Sequence, residues 1–167
     1  MAFVGRVSPE KGLVDAARAC ALAGRPLHVW GLLQDADEWA RALDAMPSGS
    51  LTHRGFVDPV SLRSQIGECA ALVMAPKWVE AFGNVAVEAM ACGLPVISTT
   101  HTAAPEIMTP DSGFIVRPGD DDALLEAMSY FAAHPEAIPT MGRAARQAAL
   151  PCTWQAYGQR WQAVLGG

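Results

Sequence analysis

The chain has 167 residues, enough for one domain with a substantial core, and its composition of 51% hydrophobic and 17% charged residues is typical of a globular protein. The formal net charge is −5 and lysines and arginines do not cluster, which argues against nucleic acid or an anionic membrane surface as a partner. The four cysteines form no C-x-x-C pair, so we expect reduced, buried thiols in a cytoplasmic protein. No apolar run is long enough to span a membrane.

The amino terminus enters a predicted strand at once, because Phe3 already belongs to an apolar run. This start predicts that no signal peptide is present. It also suggests that the chain is a fragment, since a central strand normally has chain before it.

Strands and helices alternate along almost the whole chain. Apolar runs predict strands at 2–7, 26–31, 51–57, 70–74, 95–100 and 112–118. Helical composition and spacing predict helices at 13–23, 35–46, 58–69, 85–92, 120–133, 139–150 and 153–165. The segment 101–108 is expected to be a loop with one helical turn. The alternation predicts an α/β fold: a doubly wound, mainly parallel sheet of about six strands with helices on both faces.

Ligands of such sheets bind beyond the carboxyl ends of the strands, near the point where the strand order reverses. We therefore expect functional residues in the segments that follow the predicted strands. These segments are 6–12, 31–33, 56–58, 76–83 and 101–104.

The segment 75–95 is predicted to contain a strand end, a loop and a short helix, with one glutamate in the loop and one in the helix. The backbone amides of Gly83 to Val85 would lie at the helix start and favour an anion. Glu80 and Glu88 can accept hydrogen bonds from hydroxyls, so a ligand that is part phosphate and part sugar suits this segment. The helix is predicted to be apolar nearly all round, so Glu88 needs a partner: a ribose diol, Lys77 or Arg54.

Arg6 and Lys11 lie at the end of the first predicted strand and in the turn after it. Two cations in one loop at the ligand edge can clamp a diphosphate. The alternative is a solvated turn in which Lys11 pairs with Glu10 or Asp15. Neither a P-loop motif nor a G-x-G-x-x-G motif is present.

Other residues at this edge are weaker candidates. His101 follows the fifth strand and could face the ligand or be an exposed loop residue. Arg54 could stack on a nucleobase or lie on the surface. Trp78 could form a wall of the site or only pack its loop. The run Asp120 to Asp122 is expected to cap a helix and not to bind metal.

Four segments in register resemble glycosyltransferase family 4, a group of retaining, nucleotide-sugar-dependent enzymes with the GT-B fold. The segments are 3–12, 80–96, 105–107 and 113–120, and the resemblance covers roughly residues 3–130. It implies that the chain is the Rossmann-like, carboxyl-terminal, donor-binding half of such an enzyme, a single domain over 1–167. The final helix, 153–165, would pack toward the amino-terminal half, with Trp154, Tyr157, Trp161 and Leu165 partly exposed without it.

The resemblance also implies roles for individual residues. Arg6 and Lys11 match the pair that contacts the donor diphosphate. Glu80 matches the first glutamate of an E-x7-E motif, which contacts the transferred sugar, and Glu88 matches the second, which binds the ribose hydroxyls. The backbone amides that approach sugar and phosphates are implied to be those of Phe82, Gly83, Asn84 and Val85. Arg6, Lys11 and Glu80 would act in catalysis through positioning and electrostatics, with no metal or other cofactor. The chain departs from the family at Thr102-Ala103, where Gly-Gly is frequent.

The implied activity is transfer of a hexose from an NDP-sugar, with UDP or GDP as the nucleotide, to an acceptor hydroxyl. The sugar, lipid or other acceptor would bind the amino-terminal half, which would also carry any peripheral membrane association, so the fragment alone is expected to be inactive. A non-catalytic nucleotide-sugar-binding or assembly domain of the same fold is the main alternative. A sugar phosphorylase with pyridoxal phosphate on a lysine is a weaker one, because only Lys11 and Lys77 are present.

Overall fold

The computed structural model describes residues 1–166, without the side chains of Tyr157 and Arg160. The side chain of Tyr157, which was expected to be partly exposed, lies outside the described residues. So does Gly167, the last residue of the predicted domain. Six strands form the sheet: β1 (Ala2–Val4), β2 (Leu27–Trp30), β3 (Leu51–Gly55), β4 (Leu72–Val73), β5 (Val96–Thr99) and β6 (Gly113–Val116).

The six strands pair in parallel in the order β3-β2-β1-β4-β5-β6. The order reverses between β1 and β4, which are neighbours in the sheet although two strands separate them in the chain. Ligands of doubly wound sheets bind at such a reversal, beyond the carboxyl ends of the strands. The predicted α/β fold is confirmed. From the strand order we expect a ligand to bind at the loops after β1 and β4, which form the ligand edge of the sheet.

Helices connect the strands and continue beyond β6. They are α1 (Leu13–Leu22), α2 (Ala36–Asp44), α3 (Pro59–Ile66), α4 (Asn84–Ala91), α5 (Ala104–Ile107), α6 (Asp121–Ala133), α7 (Ala137–Ala149) and α8 (Trp154–Leu165). Short 3-10 turns lie at Pro9–Lys11 and Leu150–Cys152.

The centre of the sheet is buried on both faces, and its strands β1, β4 and β5 are buried at nearly every position. One face packs against α1, α2 and α6, with Val73 and Phe131 in its core. The other packs against α3, α4, α5 and α7, with Leu72 and Met90 in its core. Neighbouring strand residues such as Leu72 and Val73 therefore serve opposite faces, and each large side chain fully buried in this way contributes about 1.5–3 kcal/mol.

Four helices begin directly after a side chain that caps them, at the positions where the sequence predicts a start. Asp35 accepts from the backbone N–H of Glu38 at 2.8 Å and starts α2. Asp58, Asp120 and Thr153 cap α3, α6 and α8 in the same manner. Each cap satisfies an amide that the helix leaves unpaired, and such caps contribute about 1 kcal/mol.

The predicted strand 2–7 is shorter in the structure. Strand β1 ends at Val4, the backbone bends at Gly5, and Val7 forms only an isolated parallel bridge with Leu33. The amide of Gly5 donates to the carbonyl of Trp30 at 2.9 Å, and the amide of Val7 donates to the carbonyl of Leu32 at 2.8 Å. Between these bonds Gly31 has a φ of 137°, a conformation that favours glycine. Arg6 lies between the bend and the isolated bridge, so it is in a loop and not in a strand.

Several apolar side chains of α8 are exposed, as expected for the predicted final helix. Trp154 is 88% exposed, and Trp161 and Leu165 are also on the surface. Within residues 1–166, no helix is both long and apolar enough to cross a membrane.

Candidate functional site

A cavity of about 190 Å³ lies at the carboxyl ends of β1 and β4, where the strand order reverses. Its charged lining consists of Arg6, Lys11 and Glu80, and its remaining lining is mostly apolar. We call it the polar cavity. Its full lining is Phe3, Val4, Gly5, Arg6, Lys11, Val73, Met74, Pro76, Glu80 and Val85. Two cations, one carboxylate and the first turn of α4 thus meet at the ligand edge of the sheet.

Lys11 and Glu80 form an ion pair across this cavity. The Nζ of Lys11 lies 2.5 Å from an Oε of Glu80, and the two side chains are only 24% and 18% exposed. Neither Glu10 nor Asp15 holds Lys11 in this arrangement, although the sequence left both open as partners. Asp15 pairs instead with Lys77, at 3.0 Å. Two ion pairs, Lys11–Glu80 and Asp15–Lys77, therefore join the segment after β1 to the loop after β4. Local sequence patterns do not predict either pairing.

Backbone contacts fix the positions of these two loops. The amide of Lys77 donates to the carbonyl of Glu10 at 2.9 Å, and the amide of Glu80 donates to the carbonyl of His101 at 2.7 Å. Glu80 is thus attached through its backbone to the loop after β5, while its carboxylate reaches Lys11. This anchoring limits the freedom of the carboxylate and orients it toward the polar cavity.

Arg6 is the more accessible of the two cations, with its side chain 54% exposed. Its guanidinium donates to the amide oxygen of Gln34 at 3.0 Å and lies 3.7 Å from the carboxylate of Glu10. A hydrogen bond from Ser8, at 2.7 Å, lowers the pKa of Glu10, with a smaller contribution from Arg6. The exposed contacts of Arg6 are weak ones that an incoming anion can replace.

The first turn of α4 reaches the polar cavity through Val85, whereas Phe82 and Asn84 line a separate cleft beside α8. Gly83 precedes the helix with a φ of 80°, and no side chain within the described residues caps this helix start. The amide of Ala86 donates to the carbonyl of Gly83 at 2.9 Å, and Val85 lines the cavity. The amides before Ala86 are the donors that a helix start leaves for an anion, and an anion site at Gly83 to Val85 stays a prediction.

Glu88 differs from its prediction, because it is exposed and α4 is not apolar all round. Its exposed face also includes Asn84, whereas Ala89 and Met90 are buried. The argument that a buried Glu88 requires a partner is therefore wrong, and neither Lys77 nor Arg54 is needed to satisfy it. Glu88 borders an open cleft of about 530 Å³, which we call the α4–α8 cleft. The cleft is lined by Phe82, Asn84, Val87, Glu88, Cys152, Thr153 and Trp154.

A second cavity, of about 230 Å³ and almost wholly apolar, adjoins the polar cavity at the ends of β1, β2 and β3. We call it the apolar cavity. Val4, Gly5 and Arg6 line both cavities, so the end of β1 forms the wall between them. The rest of the lining is Trp30, Gly31, Leu32, Phe56, Val57 and Leu62. The sequence placed Phe56 in one of the segments expected to hold functional residues, 56–58, but did not single out its side chain, although an aromatic directly after a strand was the available signal.

Arg54 is not brought together with the other predicted site residues. Its guanidinium lies 3.3 Å from Nδ1 of His28, and it is absent from the lining of the apolar cavity. Phe56, two residues later, lines that cavity and is 75% exposed. Between these two residues, Phe56 is the one with a flat apolar surface at the cavity.

His101 and Thr102 lie in the segment after β5. His101 is half-buried, and within the described part of the chain its Nδ1 is buried without a hydrogen-bond partner. Thr102, which stands where the family often has glycine, accepts from the amide of Ala104 at 3.0 Å and contacts Ser98 at 3.0 Å. Trp78 is 68% exposed and is not among the residues that line either cavity.

The acidic run Asp120 to Asp122 and the four cysteines were predicted to have structural roles. No group of three or more histidine, cysteine, aspartate or glutamate side chains in residues 1–166 is arranged to hold a metal ion. Asp120 accepts from the amide of Ala123 at 3.0 Å, which confirms its predicted role as a cap. All four cysteines are free thiols, but only Cys20 is fully buried, and burial raises its pKa to about 12. Such a thiol is inert at neutral pH.

Two curated relatives are similar in sequence. The chain is 38% identical over 88 residues, 52% of its length, to the GDP-mannose-dependent monoacylated alpha-(1-6)-phosphatidylinositol monomannoside mannosyltransferase of Corynebacterium glutamicum, of which the match covers 23%. It is 30% identical over 177 aligned positions to the D-inositol 3-phosphate glycosyltransferase of Streptomyces griseus, covering 91% of this chain and 35% of the relative. The chain thus spans about a third or less of the length of these relatives.

Solved structures share the fold. The sucrose-phosphate synthase of Thermosynechococcus elongatus superposes with a TM-score of 0.79 at 25% identity, covering 99% of this chain and 45% of that one. The HepE protein of Anabaena, solved with UDP-glucose, gives a TM-score of 0.81 at 22% identity, covering 99% and 48%. The six-stranded sheet is accordingly the Rossmann-like sheet of GT-B glycosyltransferases.

A family model covers most of the sequence. The model described as glycosyl transferases group 1 matches residues 1–148. This range contains the polar cavity, the apolar cavity and the helix start at α4. The chain therefore belongs to the glycosyl transferases group 1 family.

Proposed function

We propose that this chain is the donor-binding domain of a retaining glycosyltransferase of family 4 that transfers a hexose from an NDP-sugar to an acceptor hydroxyl. The observation that carries the proposal is the meeting of Arg6, Lys11, Glu80 and the start of α4 around one cavity at the reversal of strand order. Cations and helix amides favour a diphosphate, and the carboxylate favours sugar hydroxyls.

The two adjoining cavities suggest how a nucleotide would lie. The nucleobase would occupy the apolar cavity against Phe56, and the diphosphate would occupy the polar cavity between Arg6 and Lys11. The wall they share, Val4 to Arg6, would then lie beneath the ribose. Stacking of the base on Arg54 stays a prediction that this arrangement does not use.

The residue roles follow the family resemblance. Glu80 would bind the transferred sugar. The resemblance assigns the ribose hydroxyls to Glu88, but Glu88 borders the α4–α8 cleft and lines neither of the two cavities, so this role stays a prediction of the resemblance alone. Backbone amides at Phe82 to Val85 would approach the sugar and the phosphates. Arg6, Lys11 and these amides would stabilise the charge that develops on the departing nucleoside diphosphate. The acceptor hydroxyl would attack the same face of an oxocarbenium-like centre, and no metal would be required.

The relatives suggest the class of donor but not one nucleotide. One carries GDP-mannose in its name, and one structural neighbour was solved with UDP-glucose. We propose UDP or GDP as the nucleotide, an acceptor held by an amino-terminal half of the parent protein, and action in the cytoplasm or at the cytoplasmic membrane face. The domain by itself would bind the donor without transferring the sugar.

Isothermal titration calorimetry with UDP, GDP, ADP and their glucose or mannose derivatives tests the proposal. We expect at least one nucleotide and its sugar derivative to bind. Absence of binding to all of them by a folded domain, as judged by circular dichroism, would overturn it. Sugar transfer by the full-length parent protein then separates an enzyme from a non-catalytic nucleotide-sugar-binding or assembly domain.

A further inference from the structure

We infer that Glu80 distinguishes the sugar-bearing donor from the sugar-free nucleoside diphosphate, because its carboxylate competes with the diphosphate for the ammonium of Lys11. The inference rests on the proposed function and extends it to the release of the nucleotide product. It follows from the Lys11–Glu80 ion pair, which residue types alone do not reveal.

The geometry makes this competition direct. The Lys11 ammonium and the Glu80 carboxylate are in contact at 2.5 Å, and both side chains are largely buried. Lys11 is held by its 3-10 turn, in which its amide donates to Ser8 at 3.0 Å. Glu80 is held by its backbone bond to His101 at 2.7 Å. Since the two charged groups are in contact, an anion that reaches the ammonium of Lys11 also comes close to the Glu80 carboxylate.

The charges around the polar cavity give this proximity an energetic effect. Its charged lining is two cations and one carboxylate, and the second cation, Arg6, is itself close to Glu10 at 3.7 Å. Partial burial screens such charges less than bulk water does. A diphosphate therefore gains from Lys11 and Arg6 and is repelled by Glu80.

The NDP-sugar donor and the nucleoside diphosphate product differ in net charge and in the sugar hydroxyls that they bring to Glu80. Loss of the sugar exposes a terminal phosphate that ionises near pH 6, so the product carries about one more negative charge than the donor at neutral pH. The donor also brings hydroxyls that donate to the carboxylate of Glu80, whereas the product brings none. Glu80 therefore favours the donor and disfavours the product, which promotes release of the nucleotide after transfer.

The Glu80→Gln variant tests this inference by removing the charge while keeping the shape. Using the nucleotide pair that the wild-type domain binds, such as GDP and GDP-mannose or UDP and UDP-glucose, we expect calorimetry to show about threefold to tenfold tighter binding of the free diphosphate. Inorganic pyrophosphate should show the same gain, because it has neither base nor sugar. Binding of the NDP-sugar should not tighten, so the preference for donor over product falls.

Two further variants separate competition for Lys11 from other effects. In a Lys11→Gln background, Glu80→Gln should give a much smaller gain for pyrophosphate. Glu126→Gln, an equal change of charge at an exposed position of α6, should leave both affinities unchanged. Glu80→Ala removes the carboxylate together with its shape and should also tighten pyrophosphate binding, which provides a test if Glu80→Gln does not fold.

The possible failures are distinguishable. If the wild-type domain binds nucleotides and folded Glu80→Gln binds the free diphosphate no more tightly, the inference is wrong and the proposed function stands. An equal gain with Glu126→Gln would also overturn the inference, since net charge would then explain it. If the wild-type domain binds no nucleotide, the proposed function fails.

Discussion

The backbone of Gly31 lies so close to that of Gly5 that a Cβ added at position 31 would be 2.0 Å from the Gly5 carbonyl oxygen. This contact joins the carboxyl ends of β1 and β2. Both glycines line the apolar cavity, and Gly5 also lines the polar cavity. The shape of the ligand edge therefore depends on a close approach that only glycine permits.

Gly31→Ala is expected to destabilise the domain by about 2 kcal/mol or more, because it combines a backbone clash with strain at positive φ. Urea denaturation measures the change in the free energy of unfolding. Gly24→Ala is the matched control, since Gly24 has a φ of 64° but nothing within 4 Å of its Cβ position. It should lose only about 1 kcal/mol. Equal losses at the two positions would contradict the importance of the Gly5 contact.

Arg6→Gln and Lys11→Gln are each expected to weaken nucleoside diphosphates by about tenfold and to leave nucleosides nearly unaffected, because each removes a charged contact to phosphate. Calorimetry with GDP and guanosine, or with UDP and uridine, gives the comparison. Lys77→Gln is the control: this lysine lies in the neighbouring loop, pairs with Asp15 and does not line the polar cavity. Equal losses for nucleoside and diphosphate would argue against the clamp.

Glu88→Gln is expected to weaken ribonucleotides by about threefold to tenfold, because a neutral amide is a weaker acceptor for ribose hydroxyls. The substitution should weaken the binding of a 2′-deoxynucleotide less, because that ligand lacks one of the two ribose hydroxyls. The comparison of GDP with 2′-deoxy-GDP in wild type and variant isolates the ribose from the phosphates. Unchanged binding of GDP would leave Glu88 as an exposed carboxylate of α4 and remove it from the proposed site.

Phe56→Ala is expected to weaken nucleotides by about tenfold through lost base stacking, with inorganic pyrophosphate unaffected. The fold should tolerate the change because Phe56 is 75% exposed. Val60→Ala removes another exposed apolar side chain, 69% exposed, that does not line the apolar cavity, and should not change nucleotide binding. Weaker binding of pyrophosphate to Phe56→Ala would instead indicate a general disturbance of the ligand edge.

The sequence predicted most of the fold because local signals determine it. Helix starts at Asp35, Asp58, Asp120 and Thr153 were predictable, since each capping side chain bonds an amide two or three residues away. Burial on both faces made the central strands visible as apolar runs. The ends of the strands were less predictable: the predicted strand continues to Val7, but β1 ends at Val4, where the backbone bends at Gly5.

The residues of the candidate site were partly predictable, and their pairings were not. Arg6, Lys11 and Glu80 were identified from their positions after strands and Val85 from its position at a helix start, and these four residues line one cavity. The other predicted site residues do not line it: Arg54, Phe82, Gly83, Asn84 and Glu88. The partner of Lys11 lies 69 residues away, so no local pattern could choose Glu80 over Glu10 or Asp15. Glu88 was misjudged because the apolar content of α4 does not reveal which face the rest of the protein covers.

The two cavities share one wall, the segment Val4 to Arg6. Because these residues line both cavities, a molecule that fills both has to pass over the end of β1. Such a molecule carries a flat apolar group on one side of this segment and an anionic group on the other, so a ligand with only one of these groups uses only half of the ligand edge.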